Sequence, residues 1–176
     1  MQYLLKITVA GTNLWRLIAV DGEADRAHVA NLMSYAFPYN EGKRAFKIGD
    51  KLILCGKDGE VLNLDELTPF DSLELNEDDV FTFIPNLDKP LEHSVKIMKK
   101  IDHLFCLMPS CLVGAGALPQ GDLNAEIINT YLDADETPSL DLREVTKRLR
   151  AIGAKRPDSQ KVLEDLTQNN LAFKQK

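Results

Sequence analysis

The sequence predicts an α+β fold: a mixed β-sheet with a helix packed on one face, in a hairpin-helix-strands order close to a β-grasp, followed by a C-terminal helical hairpin. Three observations carry this. The opening YLLKITVAGTNLWRLIAV alternates as two strands around a turn, the apolar period then becomes helical between residues 29 and 37, and short alternating segments return from 44 to 101.

In the first strand Tyr3, Leu5, Ile7 and Val9 share one face, with Lys6 and Thr8 on the other, and Gly11-Thr12-Asn13 supplies the turn into LWRLIAV (14–20). Trp15, Leu17 and Ala19 fall on one face of that second strand and read as its core side, which points Arg16 away. Val29, Leu32, Met33, Ala36 and Phe37 form one helical stripe that Pro38 stops. RAFKI (44–48) and KLILC (51–55) are two short strands around Gly49-Asp50. The acidic stretch 64–79 allows only short helical pieces, and DVFTFIP (79–85) and EHSVKIMKKI (92–101) are further strands. MPSCLVGAGALPQGD (108–122) reads as a loop leading to a helix over 122–133 with Asp122 as its N-cap. Residues 1–133 thus form the α+β domain, and 134–176 a linker and a basic helical hairpin. Its first helix, 142–153, carries Leu142, Val145, Leu149 and Ile152 as a stripe, Asp141 with Glu144 as a capping-box-like start and Gly153 as its stop; the second spans 155–173.

With 176 residues and 44% apolar content the chain can bury an ordinary core, and no apolar run approaches the roughly 20 residues that span a bilayer. Three cysteines are too few for a disulfide framework, so a cytoplasmic protein without membrane association is expected. Charge is uneven: residues 1–139 hold 12 basic and 22 acidic side chains, residues 140–176 hold 9 and 5. A basic tail on an acidic body either contacts nucleic acid, through Lys147, Arg148, Arg150, Lys155 and Arg156, or lies on the body's own acidic surface, and the second outweighs the first.

The glycines of 108–122 lack the spacing and the Lys-Ser/Thr pair of a phosphate loop. Cys106 and Cys111 have no second ligand pair, so neither a metal nor a cofactor is expected. His93 shares a face with Val95 and Ile97 and reads as a core histidine. A nucleophilic Cys111 served by His93 or His103 can be drawn, but the spacing neither supports nor excludes it.

The order of these pieces resembles the plasmid pRiA4b ORF-3-like family, small bacterial and archaeal proteins also described as passengers of insertion-sequence elements. The resemblance covers about residues 2–125. The family's opening motif matches Lys6 to Val20, including Trp15 and Arg16, and its late Pro-x-Cys-Leu loop matches Pro109, Cys111, Leu112, Gly114, Gly116, Pro119 and Asp122. Its central motif, tyrosine-aspartate-phenylalanine-glycine-aspartate, then tryptophan and histidine, is reduced here to His93 and Asp88 in PNLDKPLEH, and Leu118 stands where a second cysteine is usual. The resemblance implies an α+β fold with no established enzymatic activity. For a member lacking most of that polar cluster it implies a non-catalytic binding or accessory module associated with mobile genetic elements, with a protein as partner. The alternatives are a DNA-associating protein using the C-terminal helices through residues 139–176, and a cysteine- or metal-dependent enzyme centred on His93 and Cys111.

Overall fold

Strand β1 (Gln2–Val9) buries Tyr3, Leu5, Ile7 and Val9 completely, as their alternation requires. In chain order there follow β2 (Trp15–Asp21), α1 (Arg26–Tyr35), β3 (Arg44–Ile48), β4 (Lys51–Cys55), β5 (Val80–Ile84), β6 (His93–Ile101), β7 (Ser110–Ala115), α2 (Ala125–Leu132) and α3 (Leu142–Ile152). Two short 3₁₀ turns, Leu64–Leu67 and Phe70–Leu73, occupy the acidic stretch. The structure is a computed structural model that describes residues 1–39, 42–89 and 91–156. The expected second tail helix falls mostly on residues 157–176, outside the described residues.

The strands form one seven-stranded sheet in the order β4-β3-β5-β6-β1-β2-β7. Its α+β class is as expected, but every pairing is antiparallel where a mixed sheet was expected. The reason lies in the crossover. The alternation of direction across the sheet makes β2 and β3 run the same way, as a helical connection through α1 allows, yet β1, β6 and β5 stand between them, so no parallel pair forms.

Register corrects the reading of β2. Its partners on β1 are Ile7 for Arg16, Leu5 for Ile18 and Tyr3 for Val20, and residues paired across strands share a face. Arg16, Ile18 and Val20 therefore point into the core, whereas Trp15 and Leu17 lie on the outer face. There the Lys6 ammonium sits 4.6 Å from the Trp15 ring centre.

The stretch expected to be a loop holds a strand. β7 pairs with β2, Gly114 opposite Arg16 and Ala115 opposite Trp15. Gly114 within it and Pro109 and Gly116 at its ends hide it from propensity, and Gly114 is there for space: a Cβ would lie 2.7 Å from Leu140 Cδ2 and 2.9 Å from the Trp15 carbonyl oxygen. Gly116, at φ +85°, is the residue that turns the chain out of the strand.

Helix α1 starts at Asp25, whose carboxylate accepts the His28 N–H at 2.7 Å. Residues Arg26 to Met33 are all buried, because the first 3₁₀ turn and α3 cover the side turned from the sheet. α2 begins later than expected. Asn124, not Asp122, is its N-cap, accepting the Ile127 N–H at 2.8 Å, while Asp122 pairs with Lys89 Nζ at 2.5 Å. For α3 the expected cap is present: Asp141 accepts the N–H groups of Arg143 and Glu144, and Gly153 ends the helix. Val145 and Leu149 are buried in the same core cluster as β1 and α1.

Because Leu149 is fully buried, Leu149→Ala is expected to cost about 2–5 kcal/mol of global stability, read from urea unfolding as a lower midpoint. A loss below about 1 kcal/mol would instead make α3 an arm separable from the core.

Candidate functional site

Seen from the sheet, polar groups converge where α1 ends. Arg16 reaches inward from β2, 2% exposed, and its Nε donates to the Ala36 carbonyl at 3.3 Å. Its Nη1 donates to the carbonyls of Trp15 and Ala115, at 2.9 and 3.2 Å. The guanidinium carbon lies 5.0 Å from the Phe37 ring centre. Burial lowers its pKa to about 10, so the cation persists at neutral pH. A second arginine, Arg148 of α3, donates Nε to the Tyr35 carbonyl at 3.1 Å. Two cations thus satisfy carbonyls at the negative end of the α1 dipole.

Next to Phe37 stand Tyr39 and His93. The His93 Nδ1 lies 2.9 Å from the Leu91 carbonyl, which can only accept, so Nδ1 carries the proton. Nε2 is then the acceptor of the Tyr39 hydroxyl at 2.5 Å. Burial pushes the His93 pKa down to about 4, and the same cause raises that of Tyr39. Both groups are neutral at pH 7, with their polar atoms committed to one another and to backbone.

Around Tyr39 the surface opens. A cleft of about 240 Å³ is walled by Asn31, Ser34, Tyr35, Tyr39, Gly42, Arg44, Asp58 and Pro85. Arg44 and Asn31 are each 5% exposed. The Nε and Nη2 of Arg44 donate to the Gly56 carbonyl and its Nη1 to Asn31 Oδ1, while Asn31 Nδ2 donates to Asp58 Oδ1 at 3.4 Å. Burial lowers the Arg44 pKa. Glu66, fully buried behind this wall, accepts the N–H groups of Gly56 and Leu62 at 2.8 and 2.9 Å, and burial raises its pKa. The Ser34 hydroxyl is enclosed without a hydrogen-bond partner. On other sides of Tyr39, Pro119 lines a hollow of about 230 Å³ and Asp122 one of about 60 Å³.

The residues marked in the sequence do not form one site. Register places His93 opposite Val9 and Cys111 opposite Ile18, itself opposite Leu5. With β1 and β2 between their strands and an offset of four residues, their backbones stand about 20 Å apart at ordinary strand spacing and rise. Burial raises the Cys111 pKa, only partly opposed by Arg16 and Arg148, so the group is a thiol. Among the described residues no three His, Cys, Asp or Glu side chains gather as a metal would need. Trp15 is on the outer face and Gly114 and Gly116 shape β7.

Of the five tail cations, Arg148 holds Tyr35, Arg150 donates to Ser110 Oγ at 3.1 Å, Lys155 pairs with Glu23 at 2.6 Å and Arg156 with Asp25 at 2.8 Å. Lys147 is exposed beside a groove of about 550 Å³ between β7 and α3. Asn31, Ser34, Tyr39, Arg44 and Glu66 were not marked by the sequence. The usable signal was Arg44 itself, a cation opening the short strand RAFKI that the two-residue period places on the face of Phe46.

No protein-family model matches the chain, and no curated protein does. Among solved structures, a protein of unknown function, MM3350 from Methanosarcina mazei Go1, has a similar fold: TM-score 0.50 and 14% identity, covering 81% of this chain and 96% of that one. No helix among the described residues is long and apolar enough to cross a membrane.

His93 gives a pH signature. In the unfolded chain it takes its proton near pH 6.5, in the folded protein near 4. Between these values the unfolded state binds more protons, so this contribution to stability is complete above about pH 6.5 and is lost as pH falls to 4, by about 3 kcal/mol. Urea unfolding at pH 7 and pH 4 should show a steeper acid loss in the wild type than in His93→Gln; parallel losses would refute the buried neutral imidazole.

Proposed function

We propose that this chain is a non-catalytic binding module, a divergent relative of the pRiA4b ORF-3-like proteins acting in the cytoplasm, and that it binds in the cleft at the end of α1. What carries the reading is the cleft wall, where the nearly buried Arg44 and Asn31 line, with Ser34, Tyr39 and Asp58, an open space of about 240 Å³. A partner that hydrogen-bonds to such a wall in place of water is recognised by those bonds. Catalysis has less support: His93 is engaged on both nitrogens and Cys111 is a distant thiol. The link to mobile elements and to a protein partner rests on the sequence resemblance.

Ser34 lines the cleft on a helix surface, so Ser34→Phe fills it without entering the core. Native mass spectrometry after incubation with a bacterial small-molecule extract should show low-mass adducts on the wild type, reduced about tenfold or more on the variant. Equal adducts on both would place binding elsewhere.

The nucleic-acid alternative draws on α3, whose Arg143 and Lys147 are exposed while the neighbouring cations hold the body of the chain. Two neutralised phosphates give a slope of about −2 in log K against log salt. Gel-shift titrations are expected to show no complex at physiological salt; a complex with a slope steeper than about −4 would establish that alternative in place of the cleft.

A further inference from the structure

Arg44 has five N–H donors, and three hydrogen bonds within the chain engage it, two to the Gly56 carbonyl and one to Asn31. Two N–H groups are left. No carboxylate among the described residues lies within ion-pair distance of it, and nearby Glu66 has an oxygen on each of two backbone N–H groups. The cleft wall therefore holds a positive charge whose remaining donors form part of a planar fork, the shape that a carboxylate complements.

Other features narrow the anion. The cleft lies at the C-terminal end of α1, the negative end of the dipole, and Asp58 is part of its wall. Both disfavour negative charge, and a singly charged carboxylate on Arg44 is opposed less than a doubly charged phosphate would be. Asp58 is exposed and uses Oδ1 for a long bond to Asn31, which leaves its other oxygen for a donor. The Asn31 amide touches Arg44 with its oxygen and Asp58 with its nitrogen. Guanidinium and carboxylate are thus held one amide and two hydrogen bonds apart. An α-carboxylate and the N–H on its α-carbon span the same interval with one hydrogen bond at each end. At about 240 Å³ the space is below the roughly 300–1,000 Å³ usual for drug-sized ligands.

Resting on the cleft as the binding site, we propose that its ligand is an α-carboxylate with an adjacent N–H, the group shared by a free amino acid and a peptide C-terminus. The carboxylate sits on Arg44 and the N–H on Asp58.

The test is NMR titration of the full chain with the free L-amino acids, their amides, tri-alanine with a free or amidated C-terminus, and inorganic phosphate. Binding by acids and none by the matching amides or phosphate is expected. Arg44→Lys, which keeps the charge and loses the fork, should weaken it about tenfold or more. So should Asp58→Asn, an exposed change that keeps the fold if the Arg variant does not. A response to free amino acids only, or to tri-alanine only, supports the proposal and names the source. Amides binding as well as acids, with loss in Ser34→Phe, overturn the carboxylate and leave the cleft as the site. Acid binding untouched by Ser34→Phe and Asp58→Asn overturns both, and silence from every probe overturns the ligand class alone.

Discussion

The Arg16 guanidinium is where the parts of this molecule are joined. It rises from β2 beneath the end of α1, takes the carbonyl of Ala36, and crosses to the Ala115 carbonyl of β7 while the Phe37 ring covers it. Its charge is kept despite burial because it is spread over carbonyl dipoles, including the negative end of a helix, in place of a carboxylate. Removing the side chain would take its donor from the Ala36 carbonyl at the helix end, a buried group whose lost partner costs about 1–3 kcal/mol. The absence of a side chain at Gly114 follows from the same arrangement, since Arg16 Cδ lies 3.2 Å from where a Cβ would stand.

From that junction the polar interior divides by role. On one side Tyr39 and His93 form a closed pair, neutral and satisfied, that fixes the segment after α1 against β6. On the other, Arg44 and Asn31 hold the loop after β4 through the Gly56 carbonyl, and Glu66 holds it through the Gly56 N–H. The first set has its donors and its imidazole acceptor engaged on the chain, whereas the second has donors left over at a surface. That difference, more than the depth of either set, separates scaffold from binding wall.

Much of the fold was legible because period determines it. The inward set of β1, the Pro38 limit of α1, the β3–β4 hairpin and the Asp141 cap each rest on local rules. β2 was misread since both of its faces are apolar: Trp15 and Leu17 compete with Ile18 and Val20, and a lone arginine weighs toward solvent unless its distant carbonyl partners are known. β7 was hidden by Gly114, kept for space that only packing reveals, and by Gly116, kept for the turn that follows. The cleft was illegible for a topological reason: Asn31 and Ser34, Arg44, Asp58 and Pro85 come from four separated segments with no shared motif, and only the strand order brings them together.

Thr146 of α3 has a further consequence. Its hydroxyl accepts the Cys111 N–H at 3.0 Å and donates to the Cys111 carbonyl at 3.2 Å, on β7 at the end of the sheet. On the opposite border Asn63 Nδ2 donates to the Leu54 carbonyl of β4 at 3.1 Å. Both outermost strands thus have ladder positions occupied by side chains of the same chain, and a strand from a neighbouring molecule meets an interrupted template. One hydroxyl and one amide thus make each border of the sheet a poorer template for edge-to-edge pairing than a bare strand would be.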